Sequence, residues 1–306
     1  MTLTLSTSLP FDRIDRPEEF GTMEAVHEIA RTVEKAGFHA GTVTDHPAPS
    51  ARWLDAGGHY AQDPFVMLSM LGAVTTKLRL QTNILVLPYR NPFVVARGVS
   101  SLDHFTNGRV ILGLGAGYMK GEYKALGVDF DSRNDLMDEY ITAMKLAWTG
   151  EDFTFEGSGY TALGNRILPT PVQKPHPPLL VGGNSRRALR RAAEMGDAWH
   201  PFFVPKSVTD TARTANLEGD EDISEAIAYM RAHAEKIGRT EPPKVIASST
   251  YAIKPGWSAP EALDHFAHLK SLGIDGAGAT VHADTRAEYC DLALKFGEDV
   301  IAKIDF

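Results

Sequence analysis

Apolar positions along the chain follow two spacings that take turns from one end to the other. Short apolar runs of strand length are each followed by a stretch with apolar residues at i, i+3, i+4 and i+7, the spacing of one helix face. Leu3–Leu9 alternates Leu with Thr and Ser, stops at Pro10 and predicts the first strand. Val26, Ile29, Ala30 and Val33 then mark a helix that starts near Thr22 and closes at Gly37, a residue suited to a helix C′ position. Ala40–Thr44 is the second strand, and Asp63-Pro64, an N-cap acceptor with proline at the first helical position, opens a helix to about Thr76. Leu78–Leu87 is the third strand, and Asn91-Pro92 repeats the N-cap device. Arg109–Leu114 with a helix from about Asp135 to Trp148, and Leu179–Val181 with Arg186–Met195, continue the pattern. So do Ala198–Phe203 with Asp222–Ile237, and the strands Val245–Ile253 and Ala277–Val281. Capping boxes, Ser258 with Glu261 and Thr285 with Glu288, open the last two helices.

Eight strand–helix units without a break in composition predict one α/β domain over residues 1–306, a TIM (β/α)8 barrel. Insertions fall in the loops at its C-terminal face: Pro47–Gln62, Glu151–Pro178 and Val204–Asp220. A doubly wound sheet with a smaller domain is the competing architecture. In either fold the chemistry sits at the carboxyl ends of the strands. Composition narrows the partners. Apolar residues make up 43% and charged residues 23%, as in ordinary globular proteins. The net charge of −8, with no basic run, argues against nucleic acid or an anionic membrane, whose binding rests on clustered Lys and Arg. Cys290 is the only cysteine, which rules out an intrachain disulfide and a cysteine metal cluster. The amino terminus lacks a charged segment followed by a long apolar one, and no apolar run reaches transmembrane length, so a cytoplasmic enzyme is the expectation.

Candidate chemistry clusters at strand ends. Phe38–His46 runs from a strand into Asp45 and His46, an acid and an imidazole; alternatively Asp45 caps the next segment and His46 is a surface residue. Gly182-Gly183-Asn184-Ser185, between a strand and a helix, is either a phosphate-binding turn or a tight turn with Ser185 as N-cap. Gly113-Leu-Gly115-Ala-Gly117 lacks the immediate helix of a dinucleotide fingerprint, and its glycines could instead make room for a flat ring. His46, His59, His200 and His282 lie in or near strand-end loops, whereas His27, His104, His233, His265 and His268 lie within helices and read as surface or packing residues. No His spacing supports a metal site. No Gly-x-Ser-x-Gly elbow occurs and Cys290 is mid-helix, so acyl-enzyme chemistry is not indicated. Trp53, Trp199 and Tyr118 are aromatic residues near strand ends, each either core or ligand wall. The residues by themselves support a barrel that binds a phosphorylated, aromatic ligand near Asp45 and His46, and they name no reaction.

Four ordered blocks resemble the bacterial luciferase-like flavin and deazaflavin enzyme superfamily over nearly the whole chain. They are Glu34-Lys-Ala-Gly-Phe-His-Ala-Gly-Thr-Val-Thr-Asp-His46; Leu78–Pro88 followed by Arg90-Asn91-Pro92; Asn107–Gly117; and Pro175–Gly183. The Gly-Gly-Asn-Ser turn and the compact length look most like the coenzyme F420-dependent oxidoreductases. That resemblance implies a hydride exchanged between the deazaflavin and a small organic substrate, in a homodimer. It further implies a cis peptide at Asn83-Ile84 backing the ring, Gly115, Ala116 and Gly117 contacting ring or tail, and Gly182, Gly183, Asn184 and Ser185 holding phosphate. Asp45 matches a cofactor-side carboxylate and His46 the imidazole that moves the substrate proton. Trp53 and Trp199 are placed in the substrate pocket. Sugar-phosphate dehydrogenases of the family carry a glutamate where this chain has Tyr118, a candidate proton donor or wall, and the nearest acid is Glu122. An FMN-dependent monooxygenase fed by a reductase is the alternative, and a non-catalytic flavin-binding barrel is the alternative of another class.

Overall fold

A computed structural model describes residues 2–203 and 214–305. Of the expected insertion Val204–Asp220, residues 204–213 therefore lie outside the described residues. Eight parallel strands close into a barrel: β1 (Thr4–Ser8), β2 (Ala40–Val43), β3 (Arg79–Val86), β4 (Val110–Gly115), β7 (Leu179–Gly182), β8 (Ala198–His200), β9 (Lys244–Ile253) and β10 (Gly276–Val281). The doubly wound alternative is thereby excluded. Helices α2 (Met23–Lys35), α4 (Pro64–Val74), α5 (Pro92–Phe105), α7 (Arg133–Ala147), α8 (Arg186–Met195), α9 (Asp220–Lys236), α10 (Ala259–Ser271) and α11 (Arg286–Asp299) cover its outside. The caps expected from sequence are made. Thr22, Asp63, Asn91, Ser185, Ser258 and Thr285 each accept a backbone N–H of the first helical turn, replacing a partner the helix itself cannot supply.

Departures from the predicted elements are short additions in the connections between the strand–helix units. The polar loop after β2 contains α3 (Ala51–Asp55), and α6 (Lys120–Ala125) follows the β4 glycines after a short gap; α1 (Pro17–Phe20) precedes α2. The segment after α7 forms an antiparallel hairpin, β5 (Phe153–Gly157) and β6 (Tyr160–Asn165). Phe153, Phe155 and Tyr160 of the hairpin close around Phe93 of α5, so its aromatic residues pack on the helix layer.

Side-chain parity along the strands places the site. Ala40, Ile111, Leu180 and Ala198, with Ile246, form a small apolar cluster of their own, separate from the large core between strands and helices. Two residues further along each strand, on the same face, come Thr42, Gly113, Gly182, His200 and Ser248. The barrel interior is thus plugged by hydrocarbon at one end and lined by polar groups and glycines at the C-terminal end.

Candidate active site

A cavity of about 360 Å³ opens at that C-terminal end, lined from the ends of β2, β3, β4, β7, β8 and β9. Its floor is a bulge. The β3–β4 register shifts between Thr82 and Leu85, and the Asn83-Ile84 peptide within the shift is cis, as the resemblance implied. The β4 glycines serve the bulge directly. A Cβ at Gly113 would lie 2.2 Å from the Thr82 carbonyl oxygen, and one at Gly115 2.2 Å from Ile84 Cδ1. Gly117, with φ +64°, would press on Val86. The glycines therefore let the Ile84 shelf lie across β4, with Asn83, Ile84, Gly115, Ala116 and Gly117 all on the cavity surface. A flat ring has a fitting seat on such a shelf.

Beside the shelf stands His46, its side chain 8% exposed, with Nδ1 3.1 Å from Glu122 Oε2. Glu122 is fully buried on α6 and also accepts the Tyr89 hydroxyl at 3.0 Å and the Ala48 N–H at 3.1 Å. A buried carboxylate needs such donors. With Nδ1–H donated to the carboxylate, Nε2 of His46 is left as an acceptor. Glu122 is thus the site's acid, reached from a helix rather than from the residue directly after the glycines; sequence gave only its proximity. Tyr118 lines the cavity with its ring centroid 6.2 Å from that of His46. Burial and the charge of Glu122 push its hydroxyl pKa up, so it stays protonated and can donate.

Asp45 lines the cavity too, but its carboxylate is already engaged. Arg90 binds both oxygens, at 2.6 and 2.8 Å, and the Val86 N–H donates to Oδ2 at 2.9 Å. It locks the end of β2 to the end of β3 while still forming part of the cavity wall. Trp53 does not line the cavity; it packs against His46 and His59, with centroids 4.7 and 5.3 Å away, and so backs the wall. Trp199 is a plainer correction. It is fully buried on the outward face of β8 and donates its indole N–H to the Gly183 carbonyl at 2.9 Å. The three-residue β8 turns His200, not Trp199, into the barrel.

At the far end Gly182, Gly183 and Ser185 lead into α8. Gly183 has φ +111°, a conformation that L side chains rarely adopt. The α8 terminus borders the same cavity as Arg133, Asn134 and Arg191, the last of these paired with Asp138, and its positive helix end suits a phosphate. Asn184 departs from expectation. Its buried amide donates to the Phe202 and Ala215 carbonyls and accepts the Phe202 N–H, so it fixes the turn and does not line the cavity. Arg133 comes from α7, distant in sequence, whereas Arg191 lies on α8 itself, less than two turns beyond Ser185.

His46, His59 and His200 converge on the cavity; His282 does not line it. His200 is wholly buried, and burial holds its imidazole pKa down to about 4. Neutral, it donates Nδ1–H to the Ile246 carbonyl and uses Nε2 as an acceptor. Asn83 Oδ1 stands 2.8 Å from Nε2, and the side-chain amide turned end for end gives that bare nitrogen an N–H. The linkage has a definite sign. The unfolded imidazole, near its ordinary 6.5, binds a proton that the folded one refuses, so stability is full above pH 6.5 and falls as pH drops toward 4. The loss is about 3 kcal/mol in all. His200→Gln is expected to flatten the pH dependence of the urea midpoint across this window; an unchanged slope would assign it to other groups.

Comparison with known proteins gives a consistent family. The profile of the luciferase-like monooxygenase family matches residues 4–289. The FMNH(2)-dependent dimethylsulfone monooxygenase of Pseudomonas putida is 30% identical over 215 residues, 69% of this chain and 55% of that protein. The match thus spans about half the length of that relative. A monooxygenase from Streptomyces bottropensis has the same fold at TM-score 0.79 and 18% identity, covering 98% of this chain and 99% of that one. An F420-dependent secondary alcohol dehydrogenase, solved with an F420-acetone adduct, superposes at TM-score 0.78 and 18% identity, covering 99% of each chain.

Proposed function

The chain belongs to the luciferase-like monooxygenase family, whose members are oxidoreductases and monooxygenases, and on that premise we propose that it is an F420-dependent oxidoreductase acting on a small hydroxy or carbonyl compound. The reading is carried by the His46–Glu122 pair beside the shelf. Removing hydride from a carbon that bears a hydroxyl requires a base for the O–H proton, and a neutral imidazole with its free nitrogen on the cavity is that base. The buried carboxylate stabilises the imidazolium that forms, and Tyr118 donates to the substrate oxygen from the other side. The Asn83-Ile84 shelf would hold the deazaflavin ring, and the Gly183–Ser185 turn with Arg133 and Arg191 its phosphate. Bound there, the cofactor supplies the hydride acceptor or donor.

The Pseudomonas relative favours a second reading, an FMN-dependent monooxygenase, which would use the same shelf and phosphate turn. Fluorescence titration of the purified protein with each oxidised cofactor separates the two. Micromolar affinity for F420, at least about tenfold tighter than for FMN, is the expected result. The reverse order would transfer the protein to the monooxygenase reading.

A further inference from the structure

The cavity holds a second imidazole that the reaction above leaves unused. His59, from the loop between β2 and α4, meets the His46 ring edge to face with centroids 4.9 Å apart. Each ring has Nδ1 tied to an acceptor, His46 to Glu122 and His59 to the Tyr60 carbonyl, both at 3.1 Å. A carbonyl or carboxylate oxygen only accepts, so both rings carry their proton on Nδ1 and present a bare Nε2. Access distinguishes them: the His46 side chain is 8% exposed, whereas His59 is an exposed residue. Charged and polar groups surround the pair. Glu122 faces His46, with Tyr118 beside it and the Asp45–Arg90 pair nearby. Asp12, after β1, lies close enough to His59 for the imidazole's charge to oppose the effect of burial on its carboxyl. Tyr118 cannot accept the proton, because its hydroxyl is held protonated.

We propose that His59 is the proton outlet of the site, passing to bulk water the proton that His46 takes from the substrate hydroxyl. The proposal rests on the hydride-transfer reading. As the C–H electron pair leaves with the hydride, the O–H pair closes the carbonyl bond. The proton moves to His46, then to His59 and out, and both imidazoles end neutral. In the reducing direction the same path runs inward.

The first test needs no cofactor. In long-range ¹H–¹⁵N spectra of the free protein, both rings are expected as Nδ1–H tautomers, and His59→Gln should shift the His46 Nε2 resonance. A His46 Nε2 signal that coincides in wild type and variant would overturn the outlet, and His59→Asn checks that the result does not depend on the glutamine. In turnover, His59→Gln is expected to lose severalfold in kcat, and added imidazole buffer should restore its rate without affecting the wild type. Absence of rescue would make His59 a structural wall only. The spectra bear on the imidazole pair and cofactor binding on the reaction, so the two can fail separately.

Discussion

Replacing His46 by glutamine is expected to lower kcat about 100- to 10,000-fold, the usual contribution of a positioned general base. Cofactor affinity should stay within a few-fold of wild type, because the shelf and the proposed phosphate site come from β3, β4, β7 and α8. Glu122→Gln is the companion variant. The amide oxygen can still accept the Nδ1–H of His46 and keep its tautomer, but it offers no charge to the imidazolium. It should therefore lose a large part of the same factor with little change in KM. Steady-state kinetics with the reactive alcohol or carbonyl compound decide the matter. Turnover by His46→Gln within about threefold of wild type would move proton handling to another group.

The largest effect on stability is expected at Arg90. Arg90→Ala leaves the Asp45 carboxylate, 1% exposed, with the Val86 N–H as its remaining partner. Breaking one side of a buried ion pair costs about 3–5 kcal/mol, since the surviving charge has lost both water and its partner. Asp63, 4.0 Å from Arg90 and half exposed, cannot replace it, being itself an acid. The double variant Asp45→Asn with Arg90→Gln removes both charges and should recover much of the loss. A denaturant-midpoint double-mutant cycle measures the coupling. If Arg90→Ala fell by less than about 1 kcal/mol, the pair would behave as a surface salt bridge.

Much of the site was visible in the sequence because it is local. Asp45-His46 follows β2, Asn83-Ile84 lies in the second half of β3 and Gly182–Ser185 runs out of β7, and the C-terminal ends of barrel strands face one mouth. Trp199 was misplaced for a physical reason. A three-residue strand buried on both faces shows no polar alternation, so nothing in Ala198-Trp199-His200 says which residue turns inward. Asn184 shares a turn whose other residues line the cavity, yet a buried amide must satisfy its own hydrogen bonds first.

The chain's periodicities and caps determined the eight strand–helix units, the barrel and the mouth at which its chemistry lies, because each is set by residues within a few positions of one another. Tertiary structure alone decided the pairings. Glu122 reaches His46 from α6, Arg90 clasps Asp45, His59 meets His46, and Arg133 of α7 borders the cavity beside the Gly182–Ser185 turn. Such contacts depend on the closure of the barrel, which fixes the distances between loops that no local spacing records.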